Sequence, residues 1–90
     1  MATTQEDIRG WLNTAKRAGE RWVIIVCDSY DHTDYPVGIE ASADFWERYA
    51  KYDGCNMQRI MEVYDLNMDI DSQLKEHRAN HAPPKPGGRH

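Results

Sequence analysis

The stretch RWVIIVCDSYDHTDYPVGI, Arg21 to Ile39, constrains the fold of this chain more than any other part of it. Five apolar residues stand together from Trp22 to Val26. An unbroken, largely β-branched run of this length predicts a strand covered on both faces, or nearly so. Polarity reverses at Asp28, and Asp31, His32 and Asp34 follow before Pro36 restarts an apolar segment. Proline cannot donate to a ladder, so Pro36 belongs at the start of the next strand or on a sheet edge. The simplest pairing is an antiparallel hairpin, Trp22–Cys27 with Val37–Glu40, joined by a connection of about eight residues. A two-stranded sheet is marginal by itself and needs helices to cover it. It also leaves an edge that a second copy could extend, so a homodimer is among the expected assemblies.

The flanking segments supply those helices. Thr3 or Thr4 can cap a first helix, with Glu6 or Asp7 in capping-box position. Ile8, Trp11, Leu12 and Ala15 fall at i, i+3, i+4 and i+7, Lys16 and Arg17 occupy the last turn, and Gly19 closes it. Ser42 is a good N-cap for a second helix carrying Phe45, Trp46, Tyr49 and Ala50 to Gly54. Met57, Ile60, Met61 and Tyr64 repeat the helical spacing and predict a third helix capped by Asn56. Leu66, Met68 and Ile70 pin the following turn to the core, and a last helix runs from about Ile70 to His77, anchored by Leu74. From Ala79 the composition shifts to NHAPPKPGGRH, which predicts a disordered tail. The expected architecture is α+β, a small two-layer domain over residues 1–78 in the order α-β-β-α-α-α, followed by a tail over 79–90.

Ninety residues suit one domain with a thin stability margin, so the three Trp, five Tyr and one Phe must carry much of the core. The opening MATTQEDIRG has no apolar leader segment, and no apolar run approaches the roughly 20 residues of a membrane span. Cys27 and Cys55 read as two reduced thiols rather than a disulfide framework. The expectation is a cytoplasmic protein that does not act at a membrane.

Charge is unevenly spread. Residues 28–69 carry ten acids against Arg48, Lys51 and Arg59, which leaves −7 in a chain whose net charge is −4. No basic footprint for phosphate contact is present, so direct nucleic-acid binding is disfavoured. A protein partner with a basic surface fits the acidic middle better.

The acidic hairpin loop gathers Asp28, Asp31, His32 and Asp34, with Tyr30 and Tyr35 interleaved. Carboxylates and an imidazole at this density can bind a divalent ion. The spacing does not match an EF-hand, whose twelfth position would fall on Ile39 rather than Glu. The plainer reading is a turn whose aspartates satisfy local backbone donors. His77 and His81 stand at i, i+4 with no third ligand at a recognisable spacing. No nucleophile elbow, P-loop, dinucleotide fingerprint or zinc spacing occurs, and a carboxylate beside Cys27 disfavours its thiolate. The sequence therefore assigns no catalytic residue, no cofactor and no metal ligand.

The segment YDGCNMQRIMEVYDL, Tyr52 to Leu66, taken with VIIVCDSYDHTDYPV, resembles a group of small proteins of no assigned activity encoded in bacterial and phage genomes. The resemblance implies no cofactor and no catalytic residue. It implies that the hairpin loop and the Asp53–Gly54–Asn56–Met57 junction form a characteristic surface, and that a phage setting would suit a protein modulating a host component. The expected function is a non-enzymatic binding or adaptor domain docking through Asp28, Tyr30, Asp31, His32, Asp34 and Tyr35, with Asp53 and Asn56 beside them. The alternative is a small-molecule or metal site, hydrolytic chemistry included, between that loop and Tyr52–Asn56.

Overall fold

The computed structural model describes residues 3–54, 57–76 and 79–84. The element order is α1 (Gln5–Arg17), β1 (Trp22–Asp28), β2 (Thr33–Ile39), α2 (Phe45–Tyr52), β3 (Gln58–Asp65) and α3 (Ile70–Leu74). The fold is α+β, with the antiparallel hairpin β1–β2 packed against helices, and its sheet has the order β2-β1-β3 with every pairing antiparallel.

β1 occupies the centre, which accounts for its unbroken apolar run. Trp22, Ile24 and Val26 face α2 together with Ile39, Phe45 and Val63. Val23 and Ile25 face the other way, against Leu12, Tyr64, Leu66 and Leu74. Val23, Ile24 and Val26 are fully buried. Helices thus lie on both sides of the sheet, which makes three layers rather than the two expected from a bare hairpin. β2 begins at Thr33, so the hairpin connection is the four residues 29–32 rather than about eight. Pro36 stands mid-strand opposite Ile25 and is tolerated because β2 is an edge.

The segment expected as a third helix is instead β3, so the order is α-β-β-α-β-α. The reason lies between Ile60 and Glu62. Ile25 pairs with Glu62 but Val26 pairs with Ile60, so Met61 is an extra residue in a β-bulge. One inserted residue resets the in–out alternation. Met57, Ile60, Met61 and Tyr64 then fall at spacings of three, one and three, which imitates a helical stripe.

α1 starts as expected. The Thr4 hydroxyl accepts from the Asp7 amide at 3.1 Å, and the Asp7 carboxylate accepts from the Thr4 amide at 3.1 Å. Gly19 takes φ +86°, the left-handed conformation that ends the helix. Replacing Thr4 with Ala is expected to cost about 1 kcal/mol, read as a fall of about 4–8 °C in the melting temperature. α2 is capped by Asp44 rather than Ser42, its carboxylate accepting from the Glu47 amide at 3.3 Å. Met68 points out, about half exposed, and does not join Leu66 and Ile70 in pinning the turn.

Two further elements close the β3 side. Gln73, 1 % exposed, accepts from the Asp65 amide at 2.8 Å and donates to the Asp65 carbonyl at 2.8 Å and the Asp69 carbonyl at 3.1 Å. One amide side chain thereby locks β3 to α3. The segment from Ala79, expected as a free tail, instead lies along β3 at Val63 over residues 79–81 and continues to α2 over 82–84. Asn80 bridges Val63 in parallel, the Val63 amide donates to the Ala79 carbonyl at 2.9 Å, and the His81 amide donates to the Val63 carbonyl at 3.1 Å. His81 therefore sits in this strap, its Nε2 3.0 Å from the Glu76 carboxylate, while His77 lies outside the described residues. Among the described residues no helix is long and apolar enough to cross a membrane.

Candidate functional site

The hairpin tip is a locked turn. The Asp28 carbonyl accepts from the His32 amide at 2.7 Å, and the Asp28 carboxylate accepts from the Tyr30 amide at 2.8 Å. The Asp31 carboxylate accepts from the Thr33 amide at 3.2 Å and the Thr33 hydroxyl at 2.7 Å. The Thr33 hydroxyl holds the Asp31 carboxyl below the usual carboxylate range. His32 takes φ 60°, a left-handed residue that lets the chain reverse in four residues. The aspartates spend acceptor capacity on their own backbone, the plainer of the two roles the sequence allowed.

This bracing presents a side chain. Tyr30 is 79 % exposed at the turn, flanked by Asp28 and Asp31. The Ser29 amide donates to the Met57 carbonyl at 2.7 Å, which brings the start of β3 beside the tip. Met57, at φ 62°, is 59 % exposed there. The Gly54 amide donates to the Gln58 carbonyl at 2.8 Å, so the Asp53–Gly54 turn adjoins the same end of the sheet. Loop and junction are neighbours through backbone hydrogen bonds. Asp53 is exposed at the C-cap of α2, and Asn56 lies outside the described residues, as does Cys55.

Two of the residues singled out by sequence turn away from the tip. Tyr35 is half-buried on the α2 side of the sheet, where its hydroxyl accepts from the Gln58 side chain. Burial, followed by the neighbouring Tyr52 and Asp28, pushes its phenol up. Asp34 lies opposite Cys27 on the α1 side. Burial pushes the Cys27 thiol up, the adjacent Asp34 carboxylate adds to this, and Arg59 across β3 opposes it. The like charge disfavouring the thiolate therefore comes from across the ladder rather than from the next residue. Among the described residues no group of three His, Cys, Asp or Glu side chains is arranged to hold a metal ion.

The resemblance joins Met57 to the hairpin loop, but the helical assignment of the segment misplaces Met57 as a core-facing residue and misses Gln58 altogether. The signal present was the Asp53–Gly54 dipeptide, a strong turn marker before a strand. A comparison of the chain with protein families, curated proteins and solved structures finds no match in any of the three.

Proposed function

We propose that this chain is a non-enzymatic binding domain that docks a protein partner through its hairpin tip. The observation that carries the reading is Tyr30, a large aromatic left in solvent on a turn braced by three side-chain hydrogen bonds. Tyrosine is enriched among residues that dominate interface energies. A turn already ordered loses little further entropy when its anchor is clamped. Met57 beside it offers adaptable apolar contact. The carboxylates around Tyr30, in a stretch that carries −7, favour encounter with a basic surface. A phage setting and a host target are consistent with this reading through the sequence resemblance alone.

The test uses three baits: the native chain, Tyr30→Ala, and the Asp28→Asn/Asp31→Asn pair, the two carboxylates that flank Tyr30 at the tip. Asparagine keeps a carbonyl acceptor at each position, so the melting temperatures should agree within a few degrees. A partner identified by mass spectrometry from the source cell should be retained by the native bait. Its retention should fall about tenfold or more on Tyr30→Ala, a hot-spot loss of about 2 kcal/mol. A smaller fall, deeper at low salt, is expected for the charge variant. Equal retention on all three baits would remove the tip from the interface.

A further inference from the structure

The strap after β3 crosses the sheet edge. Ala79 is buried with the α1 and α3 cluster, whereas Ala82 packs with the α2 cluster on the opposite face. Beyond Ala82 stand Pro83 and Pro84. Each proline fixes its own φ near −65° and biases the residue before it away from helix, so Ala82–Pro84 is held extended by its own covalent structure.

This pre-extended segment meets an aromatic surface. The Trp46 indole N–H donates to the Pro84 carbonyl at 3.3 Å. Trp46 lies at a centroid separation of 5.0 Å from Tyr49 and 4.9 Å from Phe45. An indole donor aimed at a proline carbonyl, set among edge-on and tilted aromatic rings, resembles the aromatic-lined grooves by which proline-rich segments are recognised in general. In that mode of recognition aromatic rings pack against pyrrolidine faces, and a backbone carbonyl of the extended left-handed helix, which has no intrachain partner, takes the N–H.

The two halves of the strap are held unequally. Ala79 to His81 is anchored by backbone bonds of 2.9 and 3.1 Å to Val63. Among the described residues Ala82 to Pro84 shows no backbone pairing with the sheet; Ala82 packs with the α2 cluster and the Pro84 carbonyl accepts from the Trp46 indole. Beside the anchored half, a cavity of about 190 Å³ opens between α2 and β3, with Tyr49, Ile60 and Val63 in its wall.

We propose that the aromatic face of α2 around Trp46 and Tyr49 is a proline-recognition platform, occupied in cis by Ala82–Pro84, which accepts a proline-rich peptide in trans when those residues lift away. The surface is separate from the hairpin tip, so the proposal stands or falls independently of it. Cis occupancy lowers apparent affinity by the fraction of molecules whose platform is open.

The probe is a synthetic ten-residue peptide with two Pro-Pro-x-Pro repeats, titrated against the full chain. Binding is followed by Trp fluorescence and by amide and indole chemical shifts. The Pro83→Ala/Pro84→Ala chain, with its fold checked by circular dichroism, should bind the peptide at least tenfold more tightly than the native chain. Adding Trp46→Phe, which keeps a ring and removes the donor, should weaken that binding about fivefold. In the native chain, millimolar peptide should shift the Trp46 indole and the amides of Asn80 to Ala82. This last measurement decides the matter if the strap variant does not fold. Absence of native-chain shifts, equal affinity of the native and strap-variant chains, or equal affinity with and without the Trp46 indole would overturn the proposal. So would a concentration-dependent dimer that binds no peptide, since it would make a second copy the occupant.

Discussion

Replacing Gln73 with Ala should lower stability by about 2–4 kcal/mol, and the melting temperature by at least about 8 °C. The side chain is 1 % exposed and closes three hydrogen bonds, two of them onto the amide and carbonyl of Asp65. Truncation leaves those backbone groups buried without partners, and an orphaned buried group forfeits its full desolvation cost. A cavity adds to the loss. Gln73→Met separates the contributions, because it restores most of the volume and none of the hydrogen bonds. Thermal and urea unfolding followed by circular dichroism should place Met nearer to Ala than to the native chain. Recovery of most of the stability by Met would mean that packing, rather than the amide clamp, holds β3 to α3.

The second large effect is an acid-sensitive ion pair. Arg21 donates to both Asp65 oxygens, Nε at 3.1 Å and an Nη at 3.3 Å, while the Asn67 amide donates to the same carboxylate at 2.9 Å. The guanidinium also lies 4.7 Å from the Trp22 ring centroid. Burial pushes the Asp65 carboxyl up, but the Arg21 and Asn67 donors outweigh it and hold it below the usual carboxylate range. A carboxyl whose native pKa lies below its unfolded value contributes stability in full above the unfolded pKa, and loses it as pH falls through the native one. Asp65→Asn should therefore cost about 1.5–3 kcal/mol at neutral pH, the range for hydrogen bonds to charged groups. The difference between native and variant chains should shrink below the unfolded pKa of about 3.8 and vanish once Asp65 itself is protonated. Asp31 and Asp69 are shifted in the same direction by Thr33 and Ser72, so some acid sensitivity remains in the variant. A stability gap that stays constant from neutral pH to strong acid would show that the pair carries none of it.

What could be read from the sequence divides along a physical line. β1 was legible because burial on both faces removes alternation and leaves a solid apolar run. α1 was legible because its cap, its stripe and its closing glycine act within one segment. The Asp31 turn was legible for the same reason, its partner Thr33 being two residues away. β3 was hidden by the bulge at Met61, which gives a strand the spacing of a helix. The place of Gln58 at the hairpin tip was hidden with it, and the Met57 junction was tied to the loop only by resemblance, since that neighbourhood exists only once β3 pairs with β1. Gln73 gave no signal because a buried amide looks like any surface glutamine until the turn it clamps is known. The strap was concealed by composition: Pro and Gly exclude a regular element but do not exclude docking against one.

The two rims of the sheet have different consequences for self-association into fibres. Along β3, the chain's own residues 79–81 already fill hydrogen-bonding positions at Val63 that a stacking neighbour would need. Along β2 the row stays open among the described residues, but Pro36 within the ladder must turn its nitrogen outward, which removes one donor from the middle of that row. A strand arriving to propagate cross-β growth would meet a gap in the template at Pro36.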